Sequence, residues 1–215
     1  MIVTGKILKY DGVKLTVLPD EEISREMLQK QIGSVEIRLN DGRTISADQR
    51  KKIFAIIRDI SLWSGHDPEF LRQYFTWDFC LKSGSDWFSL HDVDVTTARQ
   101  YISYLIEFCF LHNVPTKDRL LCQTDDISRY LYLCLEYRKC AVCNKPAELH
   151  HVDRVGIGRN REEIVHAGMR AVALCREHHN LAHMDEKKLF DRYHIYGIKL
   201  DDYLCKRLTL KGTKE

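Results

Sequence analysis

Hydrophobic and polar positions divide the chain into short runs near the N-terminus and longer helical periods beyond them. Residues 2–9 and 13–18 are rich in strand-forming residues and flank Asp11-Gly12, a hairpin signal. Residues 21–31 read as a short helix, and residues 33–39 alternate apolar and polar as a half-buried strand does before Asn40-Asp41-Gly42 turns the chain. These runs predict a small antiparallel sheet. From residue 46 the period lengthens. Ser46 is the expected N-cap of a helix reaching about Ser64, with Ile53, Ile56, Ile57 and Ile60 on one face. A second helix opens at Asp67-Pro68 and runs to about Lys82. A third starts near Thr96, places Ala98, Ile102, Leu105, Ile106 and Cys109 at helical spacing, and stops before Pro115. A last one, roughly Asp125 to Tyr137, leads into Cys140.

The fold class that follows is α+β. Residues 1–136 form an N-terminal domain of a small antiparallel sheet plus helices, and residues 137–215 form a second domain. The composition, 44% hydrophobic and 30% charged, is that of a chain with a packed core rather than a disordered one. The N-terminus has no basic segment followed by an apolar run, and no stretch of about 18 apolar residues occurs, so a cytoplasmic protein without a membrane partner is expected. The net charge of +2 is uneven: residues 140–215 hold 14 Lys+Arg against 11 Asp+Glu and seven of the ten histidines. That asymmetry points towards a polyanion near the C-terminal half without establishing one.

Cysteine placement changes the picture more. Cys80, Cys109, Cys122, Cys134 and Cys205 are scattered among apolar helical neighbours and are expected to act as small hydrophobes. Cys140, Cys143 and Cys175 instead cluster with histidines. Cys140-x-x-Cys143 and Cys175-x-x-His178 are two pairs able to grip one ion, and three thiolates with one imidazole favour structural zinc. A region this short has a marginal core, which a metal staple remedies.

His150, His151, His179 and His183 remain after that allocation. His179 and His183 are four apart in a helical segment and share a face, whereas His178 is turned from His179 by about 100° and can serve a different ion. ELHHVDRV alternates like a strand, on which His150 and His151 face opposite ways and must have separate roles.

Cys140-x-x-Cys143, Leu149-His150-His151, the Gly156-x-Gly158-Arg159-x-Arg161 loop and Leu174-Cys175-x-x-His178-His179-x-x-x-His183 resemble the HNH, or ββα-metal, nucleases, in that family's order. The resemblance implies a C-terminal ββα-metal (HNH) module with a structural zinc knuckle, a catalytic divalent ion (Mn, Ni, Zn or Mg) on His150, His179 and His183, and His151 as the general base for DNA phosphodiester hydrolysis. The sequence departs from the family at the middle Asn, where it reads Gly168-Met169-Arg170-Ala171-Val172; Asn160 and His166 are the candidates to replace it. Arg154, Arg159 and Arg161 are candidate phosphate contacts, and Asp153 and Glu148 candidate outer partners of a histidine.

Residues 46–114 resemble the Orf recombination proteins of lambdoid phages, the NinB family, best at Ser46, Asp48, Gln49 and Lys52 ahead of Phe54. That resemblance implies a homodimer that binds single-stranded or branched DNA in phage recombination, with Arg50, Lys51 and Lys52 as candidate DNA contacts. The competing reading is a recombination mediator that binds single-stranded DNA without cutting it, its zinc module being structural only. A zinc-stapled protein-interaction module is the third.

Overall fold

Side-chain caps set where the helices begin. The computed structural model describes residues 5–19, 42–152 and 165–212. Helix α1, Ala47–Ser64, starts with a reciprocal capping box: Gln49 N donates to the Ser46 hydroxyl at 3.1 Å, and Ser46 N donates to Gln49 Oε1 at 3.0 Å. Asp67 accepts from Glu69 N and Phe70 N ahead of α2, Pro68–Ser83. Asp94 does the same for Thr96 N and Thr97 N ahead of α3, Val95–His112, which ends at left-handed Asn113 two residues before Pro115. A short helix α4, Leu120–Gln123, comes next, and Asp126 caps α5, Ile127–Glu136, through Arg129 N. Each such cap contributes about 1 kcal/mol. The four longer helices are those the periodicity predicts; α4, a single turn, is too short to show a period.

Ahead of the helices, β1 (Gly5–Tyr10) and β2 (Leu15–Pro19) pair antiparallel, with an irregularity between Ile7 and Lys9. Asp11 closes the turn by accepting from Val13 N and Lys14 N. This ribbon is exposed almost throughout. The helix expected over residues 21–31 and the strand expected over 33–39 lie outside the described residues.

Beyond α5 come β3 (Glu148–His151), β4 (Arg170–Leu174), α6 (Arg176–Tyr193), β5 (Ile198–Lys199) and α7 (Asp202–Leu208). The three strands form an antiparallel sheet in the order β3-β4-β5. Glu148 faces Leu174, and His150 faces Val172. Among the described residues the fold is thus mixed α+β, with two small antiparallel sheets and seven helices. None of those helices is long and apolar enough to cross a membrane.

One apolar cluster runs from the isoleucines of α1 through Phe75 and Phe79 of α2 and Tyr101, Ile102, Leu105 and Ile106 of α3 to β4 and α7. α5 lies in its middle, burying Tyr130, Leu131, Leu133, Cys134 and Leu135, and packs against α3 on one side and β4 and α7 on the other. Cys109, Cys134 and Cys205 are buried small hydrophobes as expected, but Cys122 is exposed, because α4 offers only one turn and turns Leu120 inward instead.

All three tryptophans, Trp63, Trp77 and Trp87, lie before α5, so their fluorescence follows the N-terminal helices, and hydrogen exchange of the β4 amides follows the C-terminal part. Because Leu131 is fully buried between the two, Leu131→Ala should cost about 2–5 kcal/mol. It should lower the urea midpoints of both signals together; a fall in only one would show that α5 does not couple them.

Candidate metal centre

The connection from α5 to β3 is a tight knuckle. Lys139 and Pro146 form an antiparallel bridge, Cys140 N donates to Lys145 O at 2.7 Å, and Asn144 takes a left-handed conformation (φ 60°), one that Asn tolerates better than most residues. Burial keeps the Tyr130 hydroxyl far above its ordinary pKa and therefore neutral; it donates to Ala141 O at 3.0 Å and accepts from Asn144 Nδ2 at 2.7 Å. Asn144 Oδ1 in turn accepts from Leu120 N. The knuckle is thus fastened to α4 and α5.

It brings Cys140 and Cys143 against Cys175, the N-cap residue of α6, and His178 in the first turn of that helix. Cys175 Sγ lies 3.1 Å from His178 Nδ1, Cys143 Sγ 3.6 Å from Cys175 Sγ, and Cys140 Sγ and Cys143 Sγ 3.6 and 3.7 Å from His178 Nδ1. Ligands about 2.3 Å (sulfur) and 2.0 Å (nitrogen) from one tetrahedral zinc would be separated by roughly 3.5–3.8 Å, so the four atoms fit such an ion with small adjustments. Burial pushes the Cys143 thiol up to about 12, so binding must displace a proton there, and burial lowers His178, which keeps the ring neutral and able to ligate.

The second group forms across β3 and α6. His150, His179 and His183 each offer a ligand atom, all within 4.8 Å of one another. Their ring centroids are 5.0 Å (His150 to His179), 5.2 Å (His150 to His183) and 4.7 Å (His179 to His183) apart. His150 is buried and His183 exposed, so the group opens to solvent on one side. His179 is depressed first by burial and further by the neighbouring histidines, against the opposing effect of Glu148. Glu148 Oε2 lies 3.2 Å from His179 Nδ1 and accepts from Arg176 Nη1 at 3.3 Å, so a carboxylate stands beside that ring. Three imidazoles with a solvent-facing side fit a divalent ion that keeps open positions.

His151 points away from this group. Its ring stacks on His166 at 5.1 Å with an interplanar angle of 29°. The His166 segment is held by the far end of the chain: His166 N donates to Lys211 O, Gly168 N to Leu200 O, and Leu200 N to Met169 O. Arg154, Arg159, Arg161, Asp153 and Asn160 lie outside the described residues. His194 caps α6 in a left-handed conformation (φ 52°) and is exposed.

Of the N-terminal candidates, Arg50 donates through Nε and Nη2 to the carbonyls of Leu90 and His91, and Lys52 pairs with Asp125. Lys51 is exposed and borders a shallow groove on α1 with Arg50, Phe54 and Arg58. Ser46 and Gln49 are occupied in capping.

One residue at the site was missed in the sequence. Glu186 Oε2 lies 2.8 Å from His150 Nε2. α6 is interrupted at Asp185 (φ −157°, ψ 87°), whose carboxylate accepts from Lys188 N and so caps a second helical segment beginning at Glu186. No local signal marked it, because the helical phase of His179 and His183 does not carry across the break at Asp185.

A family model described as "Putative HNHc nuclease" matches residues 18–211, crossing the boundary expected after residue 136. Comparison with curated proteins and with solved structures finds no match.

The two groups should part under substitution. Cys175→Ser should lose the tightly held metal equivalent and lower thermal stability, since binding energy at such a site is folding energy. His183→Ala should keep that equivalent and the parent's melting temperature; loss of all metal from both variants would show one site rather than two.

Proposed function

The chain belongs to the HNHc nuclease family, and from that premise we propose that it is a metal-dependent endonuclease hydrolysing DNA phosphodiester bonds, acting on single-stranded or branched DNA in phage recombination. The observation carrying this reading is the convergence of His150, His179 and His183 beside a separate three-cysteine, one-histidine cluster, which needs none of them.

In this reading Cys140, Cys143, Cys175 and His178 hold structural zinc, and His150, His179 and His183 hold the catalytic ion (Mn, Ni, Zn or Mg). That ion supplies Lewis-acid stabilisation of the charge developing on the phosphate and the departing 3′ oxygen. His151 is the general base: its imidazole takes a proton from water as the water oxygen attacks phosphorus and the bond to the 3′ oxygen breaks. His166, stacked on that ring, takes the positioning role of the family's middle Asn, and Glu148 orients His179. Arg154, Arg159 and Arg161 hold flanking phosphates.

Residues 1–136 are assigned to holding DNA and residues 137–215 to cutting it. Support for the first assignment comes from the exposed stripe of Phe70, Tyr74 and Trp77 along α2, a surface on which unpaired bases can stack, and from Lys51 and Arg58 on α1. Arg50 and Lys52 would act there mainly by fixing α1. The homodimer implied by the Orf resemblance belongs to the same proposal. The exposed stripe equally favours the second reading, a mediator that binds single-stranded DNA without cutting.

The test is to incubate protein whose second metal site has been emptied with single-stranded, duplex and branched DNA while adding Mg²⁺, Mn²⁺, Ni²⁺ or Zn²⁺ in turn. At least one ion should restore cleavage, and His151→Ala should slow it by about 10²–10⁴-fold with zinc content and folding unchanged. Binding without cleavage under every ion would favour the mediator, and full activity of the variant would remove His151 as the base.

A further inference from the structure

We propose that the cleft between the α3–α4 connection and the cysteine knuckle binds a phosphate group, the phosphodiester of a nucleic-acid strand. The inference rests on the reading of this chain as a nuclease and adds a contact that uses none of the histidines at either metal centre.

Four cations line the cleft. Lys117 and Arg119 come from the connection and Lys139 and Lys145 from the knuckle, around a space of about 300 Å³ that the buried Phe110 and Val114 also line. Ligand pockets run from about 300 to 1,000 Å³, so the space suits one anionic group rather than a large apolar ligand. Lys117, Arg119 and Lys145 are exposed, which leaves the cleft open for a strand to enter and leave. Among the described residues no carboxylate forms an ion pair with any of the four. Lys139 donates to Asn113 Oδ1, and Arg119, the N-cap residue of α4, makes no capping bond through its side chain.

Nearby negative charge does not cancel theirs. Asp118 lines the same cleft, the buried Asp59 carboxylate accepts from Lys117 N at 2.9 Å, and zinc on three thiolates and a neutral imidazole carries one negative charge. These offset three of the four cations. A cleft lined mainly by one sign of charge concentrates its field on an incoming anion.

Both walls are anchored. Val114 N donates to Cys109 O at 2.9 Å, Lys139 N to Cys134 O at 2.8 Å, and Leu120 N to Asn144 Oδ1 at 3.1 Å, the last joining one wall to the other. Cys143 is itself a lining residue, so metal in the cysteine cluster fixes the knuckle wall. Lysine and arginine contacts to phosphate position a strand without reading its bases, and anchored backbone lowers the cost of ordering them.

The experiment uses the full chain with zinc retained in the cysteine site and no other divalent ion, so that binding is read without cleavage. Affinity for a fluorescent single-stranded oligonucleotide is measured across a range of salt concentrations, and inorganic phosphate is titrated by calorimetry. Parent protein is compared with Lys117→Gln, Arg119→Gln, Lys145→Gln, the three combined, Lys145→Arg, and Lys206→Gln as a cation outside the cleft. One retained zinc per chain and the parent's melting temperature show that each variant is folded. The combined variant should lower the slope of log affinity against log salt by about 0.7 or more, that of one phosphate contact on a single strand, and equally for different base sequences. Lys145→Arg should keep the parent's slope. A combined variant that changes no more than Lys206→Gln overturns the proposal. Loss of inorganic phosphate binding with DNA binding intact assigns the cleft to a free anion and overturns the nucleic-acid occupant. A parent with no affinity for DNA fails the nuclease reading first, and this inference with it.

Discussion

Neighbours on a strand face opposite ways, and neighbours on a helix are turned by about 100° from one another; the C-terminal site uses both offsets. On β3, His150 turns towards α6 and His151 towards His166. On α6, His178 turns into the cysteine cluster and His179 towards β3. The cysteine cluster fixes this arrangement, because it ties the rotation of α6 about its own axis to the knuckle at 140–143. A roll of the helix by one residue would place His179 among the sulfurs and remove it from His150. The antiparallel register, with His150 opposite Val172 and Leu174 leading directly into Cys175, fixes the other coordinate, the distance along the strand at which the rings meet.

The rest of the chain supplies the rigidity behind that alignment. Tyr130 and Asn144 fasten the knuckle to α5 and α4, and α5 is packed on both sides, by α3 and by β4 with α7. The far C-terminal segment closes the opposite edge, since Leu200 and Lys211 hold the backbone that presents His166 to His151. A histidine that must be placed within a few tenths of an ångström of an ion, or of a water molecule, benefits from backbone held from two directions.

How much of this could be read from residues depended on range. The helices α1, α2, α3 and α5 were legible because their caps and apolar periods are local: Ser46 with Gln49, Asp67 with Pro68, and the spacing of Ala98, Ile102 and Leu105. The pairs within both side-chain groups were legible because Cys140 with Cys143, Cys175 with His178, and His179 with His183 sit three or four positions apart, within a turn or a helix face. The contacts at Arg50 and Lys52 were not, since the carbonyls of Leu90 and His91 and the carboxylate of Asp125 lie about 40 to 70 positions away, and a basic helix start looks the same whether it faces phosphate or its own chain. Nor was the break at Asp185. An acidic residue in a polar stretch reads as an ordinary helical position, and only the backbone shows that it ends one segment and caps the next.

Two carboxylates flank the three imidazoles, and their positions suit different work. Glu148 is half exposed, shared with Arg176, and acts on His179 through a hydrogen bond, which orients a ring without altering the charge presented to substrate. Glu186 approaches the buried His150, where water screens less, so its charge is felt more strongly by anything bound between the rings. Three neutral ligands would leave the full charge of a divalent ion facing the phosphate. That maximises attraction for the substrate and equally for the cleaved product, which bears an additional negative charge. A carboxylate beside the rings offsets part of that charge and lessens the hold on the product more than on the substrate, because the attraction scales with the charge on each. The kink at Asp185 therefore matters beyond helix geometry: it sets where the second of these carboxylates stands relative to the buried His150.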